Sequence, residues 1–132
     1  MRELKEIILH CTATPPTTTV ESIRNYHVNV NGWNDIGYHY LIQHGVVKNG
    51  RPIEKIGAHC KGHNTGTIGI AYIGIHPTLQ DVVTLATLCN QLISKYSIKK
   101  ISKHCDYANK TCPNFSPSCD KVFNRICNIK LT

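Results

Sequence analysis

Thr67-Ile68-Gly69-Ile70-Ala71-Tyr72-Ile73-Gly74 is an apolar run bounded by glycines. It is far too short to cross a bilayer and of the right length for a strand buried on both faces, the kind found at the centre of an α/β sheet. A second strand is predicted over residues 5–11, where Ile7-Ile8-Leu9 leads to His10-Cys11. Thr12-Ala13-Thr14-Pro15-Pro16 then forces a loop, since consecutive prolines continue neither ladder nor helix. Thr18 or Thr19 can cap a helix over Val20–Asn31, with Val20, Ile23, His27 and Val30 on one face and Asn31-Gly32 as its stop.

Beyond that helix, the aromatic and β-branched content of residues 38–43 predicts a strand. A turn at Gly45 and a strand near Val46–Lys48 complete a hairpin. Arg51–Ile56 is expected as a short edge strand, kept from the sheet centre by Pro52. Gly57–Gly66 is loop-like. Thr78 caps a long helix to about Tyr96, its stripe traced by Leu79, Val82, Val83, Ala86, Asn90 and Ile93. Ile98–Ser102 returns as a strand into a polar loop, and Ser116 or Ser118 opens a last helix with Val122, Phe123 and Ile126 inward. The expected architecture is α/β: a single domain over residues 1–132, its central mixed β-sheet flanked by helices on both faces. Ligands just past strand ends suit the crevice such sheets offer.

The 132 residues are 41% hydrophobic and 17% charged, an ordinary globular balance. The net charge of +7 draws polyanions, and both nucleic acid and an anionic cell wall qualify. No basic helix, ribonucleoprotein motif or repeated finger spacing supports the first, so no nucleic acid is expected. No apolar run supports membrane insertion. Met1–Glu6 lacks the apolar core of a signal peptide, so synthesis in the cytoplasm is expected, with delivery elsewhere left to another agent. Seven cysteines are many for this length. Cys105, Cys112, Cys119 and Cys127 recur at nearly even intervals, but the close pairs of a tetrathiolate site are missing. Cys11, Cys60, Cys89, Cys105, Cys119 and Cys127 are read as small core or surface residues, with a disulfide among the C-terminal ones left open.

The chemistry concentrates in His104-Cys105-Asp106-Tyr107-Ala108-Asn109-Lys110-Thr111-Cys112-Pro113. His104 and Cys112 sit in one polar loop, and His10 ends a strand far upstream. Two histidines and a thiolate suit one zinc ion and leave a fourth position open, the pattern of a catalytic rather than a structural site. Lys110, two residues before Cys112, can brace an oxyanion. Tyr38, after Gly37 at a strand entrance, can orient a water or take part in proton transfer. No Asp or Glu falls in an obvious motif beside them.

Five ordered blocks carry a resemblance. They are Ile7 to Thr14, Gly32-Trp33-Asn34-Asp35-Ile36-Gly37-Tyr38-His39-Tyr40-Leu41-Ile42, Gly57 to Asn64, Thr67 to Gly74, and His104 with Lys110-Thr111-Cys112-Pro113. Together they resemble the zinc amidases, the type-2 N-acetylmuramoyl-L-alanine amidases that include amidase-type phage lysozymes and animal peptidoglycan recognition proteins. The resemblance implies zinc ligation by His10, His104 and Cys112, and catalytic assistance from Tyr38 and Lys110. It implies hydrolysis of the amide between N-acetylmuramic acid and L-alanine, with peptidoglycan as partner; a monomer is expected. Cys112 and Ala71 stand where the muropeptide-recycling branch has aspartate and glutamate, which points to the phage and recognition branch.

Thr12, Arg51, His59 and Asn64 are candidates for substrate contact. His59 is read as a wall of the cleft, against the competing reading of a hydrogen-bonded structural residue. Trp33 is read as core or cleft-rim packing. Cys11, Cys60 and the C-terminal cysteines depart from the family and are not expected to touch the chemistry. The expected role is endolysin-like wall degradation after release by a holin or a secretion system. A secreted antibacterial amidase toxin and a non-catalytic peptidoglycan-binding module of the same fold are the alternatives, and a basic polyanion-binding protein with a structural metal is a third.

Overall fold

The structure is a computed structural model, and it describes residues 1–127. Its elements in chain order are β1 (Glu6–Cys11), α1 (Val20–Asn29), β2 (Tyr40–Gln43), β3 (Val46–Asn49), β4 (Thr67–Tyr72), α2 (Leu79–Tyr96), β5 (Lys100–Lys103), a 3₁₀ turn (His104–Asp106) and α3 (Lys121–Ile126). The strands form one five-stranded sheet in the order β3-β2-β4-β1-β5. Only the β2–β3 hairpin is antiparallel; β2–β4, β4–β1 and β1–β5 are parallel. The mixed α/β architecture expected from the sequence is therefore present, and all six residues of β4 are buried.

Because successive strand residues face opposite ways, each strand feeds two cores. Ile7, Leu9 and Cys11 of β1, Ile68, Ile70 and Tyr72 of β4 and Ile42 of β2 pack with Leu85, Cys89 and Leu92 of α2 and Phe123 of α3. Leu41 points the other way and packs with Ile23 of α1, Ile36 and Ile73. His10, Gly69 and Ala71 lie on that same second face by alternation, so the α1 side of the sheet carries the polar site. Among the described residues no helix is long and apolar enough to cross a membrane.

Four local expectations need correction. Arg51–Ile56 forms turns rather than an edge strand; the Arg51 side chain donates to the carbonyls of Asp35, Ile36 and Ile56 and folds the segment back on itself. The stripe of α2 is rotated from the expected one: Leu79 is 66% exposed, Val83 and Asn90 are exposed, and Leu85, Leu88, Cys89 and Leu92 take the inner positions. Leu79 sits in the first turn, where the cap and not packing sets the helix start. On α1 only Ile23 is buried and the helix ends at Asn29, leaving Val30 outside. The last helix is capped by Asp120, whose carboxylate accepts from Phe123 N, rather than by a serine.

Thr19 caps α1 and Thr78 caps α2, the latter with a reciprocal bond from Asp81. Asp81 is buried, and beyond the capping box it accepts the backbone N–H of Gly45 at 3.1 Å, tying α2 to the β2–β3 turn. His39 is a second buried polar tie. Its Nδ1 accepts from Gly69 N at 3.0 Å, so the neutral ring carries its proton on Nε2 and donates to Lys55 O at 2.8 Å, with the Arg2 guanidinium 3.0 Å from the same nitrogen.

Two outcomes follow from these ties. Asp81→Ala removes the acceptor from two part-buried N–H groups, those of Gly45 and Thr78, and is expected to cost roughly 1–3 kcal/mol, read as a lower urea midpoint at unchanged slope. Burial pushes the His39 pKa down to about 4, below its unfolded value of about 6.5. The unfolded chain then binds the extra proton first, so the stability is complete above about pH 6.5 and falls as pH is lowered toward 4, by up to about 1.4 kcal/mol per pH unit. Urea titrations between pH 7 and pH 4.5 should show a shallower slope in His39→Asn than in the parent.

Candidate active site

The pairing of β1 with β5 builds the site. Its register ends at Leu9↔Lys103, and one step further along both strands stand His10 and His104. Their Nδ1 atoms lie 3.1 Å apart. Cys112 arrives from the loop after the 3₁₀ turn, which is held to Cys105 by the bond from Cys105 N to Cys112 O, 2.8 Å. Further along, Asn114 N donates to the Tyr72 hydroxyl and its amide donates to Ile75 O. The structure thus brings together His10, His104 and Cys112, whose ligand atoms all lie within 4.8 Å of one another.

This donor set fits a zinc ion. Two nitrogens each roughly 2.0–2.1 Å from a tetrahedral ion would sit roughly 3.3 Å apart, close to what is seen. Both imidazoles are held neutral, as ligation requires: burial drives the His10 pKa well down, helped by His59, His104 and Lys110, and burial with Lys110 lowers that of His104. The Cys112 thiol is pushed up by its bond to the Cys11 sulfur and by burial. Against this, the Cys11 N–H donates to Cys112 Sγ at 3.0 Å and favours the thiolate. A cation at the three donors strengthens that preference, because it favours the thiolate it touches. Cys11, set aside by the sequence reading, therefore meets the site through both its backbone and its sulfur.

Tyr38 packs its ring 5.3 Å from His10, centroid to centroid. Burial, then the neighbouring Cys112 and Cys11, raise its pKa, so its hydroxyl stays protonated at neutral pH and is available as a donor. The His27 ring lies between Trp33 and Tyr38, at 4.8 and 5.6 Å, and its Nδ1 accepts from Gly37 N at 2.9 Å. That bond fixes the backbone just before Tyr38. A Cβ on Gly37 would fall 2.0 Å from Ala58 O, so only glycine lets the two loops meet here. Nothing in its spacing marked His27 as more than one apolar-face residue of the helix.

Two clefts flank the histidines and the cysteine. The larger, of about 640 Å³, is lined by Trp33, Asn64, Tyr107 and Lys110 among others. The smaller, of about 370 Å³, opens between Thr12, Ser22, Tyr26 and Tyr38. Neither lining includes a carboxylate.

The candidate substrate contacts fall in different places. Thr12 lines the smaller cleft, but its hydroxyl accepts from Gly74 N and pairs with Thr14. Asn64 lines the larger cleft with its side-chain oxygen accepting from His59 N and Cys60 N. Arg51 lines neither and spends its guanidinium on three backbone carbonyls. His59 borders the larger cleft, yet it is only 7% exposed and turns both ring nitrogens inward, toward His10 and Thr67.

The comparisons with known proteins agree with this geometry. A family model described as N-acetylmuramoyl-L-alanine amidase matches residues 1–115. The endolysin of Enterobacteria phage T3 is 35% identical over 121 residues, spanning 83% of this chain and 80% of that protein. The endolysin of Escherichia phage T7 is 34% identical over 121 residues with the same coverage. Among solved structures, N-acetylmuramoyl-L-alanine amidase LysC from Clostridium intestinale URNW is similar with a TM-score of 0.88 at 30% identity, covering 98% of this chain and 88% of that one. Bumblebee PGRP-SA is similar with a TM-score of 0.78 at 28% identity, covering 86% and 77%. With fold, ordered motifs and relatives in agreement, the chain belongs to the N-acetylmuramoyl-L-alanine amidase family.

Proposed function

We propose that this peptidoglycan amidase is a zinc hydrolase in which His10, His104 and Cys112 hold one ion per chain while Tyr38 and Lys110 act on the reacting groups. The observation that carries the reading is the convergence of two neutral imidazole nitrogens and one sulfur within 4.8 Å, between two clefts. A zinc ion held there supplies Lewis acidity, polarising the scissile carbonyl and lowering the pKa of water toward neutrality.

The chain's own groups do the rest. The substrate carbonyl is that of the lactyl group of N-acetylmuramic acid, and attack by water breaks its bond to the nitrogen of L-alanine. Lys110 places positive charge close enough to His10 and His104 to lower both, and that charge stabilises the oxyanion as it develops. Tyr38, protonated and buried, donates a hydrogen bond to the attacking or departing group and keeps it aligned. With no carboxylate lining either cleft, Tyr38 is the group assigned to relay a proton from the attacking water to the alanine nitrogen as it leaves. Residues 1–132 act as one monomeric catalytic domain, reaching the wall after release by a holin or a secretion machine. The net charge of +7 favours encounter with an anionic wall.

Protein purified without added zinc should contain about one equivalent of the metal, and Cys112→Ser should lose most of it. Full retention in that variant would assign the third ligand to another group, such as Cys105, whose backbone N–H meets Cys112 O. Digested peptidoglycan should gain N-terminal alanine without new reducing sugar ends, and the yield should fall as salt screens the basic surface. New reducing ends would mean a glycosidase, and binding by zinc-loaded protein with no soluble product would mean a recognition module. Lys110→Ala and Tyr38→Phe should keep fold and metal but lower turnover by roughly 10²-fold or more. Parental turnover in either would remove that residue from the chemistry.

A further inference from the structure

Behind His10 runs a chain of hydrogen bonds in which every proton has one place to go. The Thr67 hydroxyl, at the start of β4, lies 2.8 Å from His63 O and 3.1 Å from Asn64 O. Carbonyl oxygens only accept, so the one hydroxyl proton of Thr67 is committed to them. The remaining contact of that oxygen, 3.1 Å to His59 Nε2, then requires the proton on the histidine nitrogen. With its proton on Nε2, His59 carries a lone pair on Nδ1. His59 Nδ1 lies 2.9 Å from His10 Nε2. That bond needs a proton on His10 Nε2, which leaves the His10 Nδ1 lone pair facing His104 and Cys112.

We propose that His59 and Thr67 are positioning residues for the metal centre: together they fix His10 as the Nε2–H tautomer and present its Nδ1 to the ion. The inference rests on His10 being a zinc ligand. A ligating histidine commonly donates its second nitrogen to a carboxylate, carbonyl or water, and loss of that partner costs roughly 10–100-fold in metal affinity. Here the acceptor is a second, buried histidine, itself oriented by a threonine and two loop carbonyls. The sheet makes room for it. A Cβ on Gly69 would come within 2.4 Å of His59 Cγ, so the ring lies where only glycine can sit beneath it. Gly69 N is in turn held by His39 Nδ1 at 3.0 Å, which keeps the floor of the cradle flat against the ring.

The test reads metal affinity and proton position, not turnover. Zinc dissociation constants come from chelator competition on the full chain, with circular dichroism and urea midpoints reporting the fold. His59→Leu should weaken zinc binding by roughly 10–100-fold. His59→Asn, whose side-chain oxygen can take the place of Nδ1, should recover much of that loss. Thr67→Val should weaken binding while Thr67→Ser keeps it. Gly69→Ala, which removes no member of the chain but displaces the ring, should weaken it too. In the metal-free parent, nitrogen-15 shifts of the imidazoles should show Nε2–H on both His59 and His10, a readout that needs no variant to fold. Parental zinc affinity in folded His59→Leu and Thr67→Val, or a proton on His10 Nδ1 with His59 Nε2 bare, would overturn the inference while leaving the zinc centre intact. A parent protein that takes up no zinc would overturn both readings.

Discussion

The parallel pairing of β1 with β5 is the constraint on which the rest of this molecule depends. Its register sets His10 beside His104, residues 94 positions apart in the chain, without either side chain having to reach. Parallel neighbours need long crossovers, and here the crossovers are α1 with the hairpin on one side and α2 on the other. The carboxyl ends of β1, β4 and β5 therefore open at one edge of the sheet, where an α/β fold leaves space for a ligand. A register slip of one residue would turn His10 toward the α2 core and leave Leu9 in the cleft. The apolar residues that alternate with His10, Ile7, Leu9 and Cys11 against α2, are thus what keeps the histidine pointing at its partners.

The electrostatics of the centre follow from what the fold excludes. Three histidines, His10, His59 and His104, crowd together, and burial keeps each below its ordinary pKa. Lys110 adds a positive charge and no carboxylate lines the adjoining clefts, so the negative charge available locally is that of a sulfur. A thiolate ligand would offset a cation without the hydration a carboxylate demands. A divalent ion held by these three donors would keep a surplus of positive charge, the condition for polarising a carbonyl.

The frame and the convergence of His10, His104 and Cys112 were legible in the sequence for physical reasons. Thr67–Gly74 carries an unbroken apolar pattern that only a doubly covered strand satisfies, and His10 and His104 follow strands directly, so their separation is a matter of register. What escaped was whatever depends on where a side chain turns after the backbone is fixed. Arg51 carries the same charge whether it meets a substrate or three backbone carbonyls, and sequence offers no signal to separate these. His59 stands in a family block as a cleft wall or a hydrogen-bonded structural residue, and it is both: it borders the larger cleft while its nitrogens turn inward. Its orientation is decided by Thr67 and by the missing side chain of Gly69, two features that looked like ordinary strand residues. The rotated stripe of α2 has a similar origin: Leu79 and Val83 are apolar enough to be counted inward, and only the position of the Thr78 cap fixes the phase.

Trp33, the chain's one tryptophan, lines the larger cleft, is 36% exposed and stands 4.8 Å from the His27 ring. The intrinsic indole emission of this protein therefore originates at the mouth of its site, with no second indole elsewhere to dilute it. An imidazole in contact makes that emission sensitive to the ring beside Tyr38, and its exposed face makes it sensitive to anything that displaces water from the cleft. The fold has in effect placed a built-in optical reporter at the entrance, so occupancy by a wall fragment can be followed in the unlabelled protein.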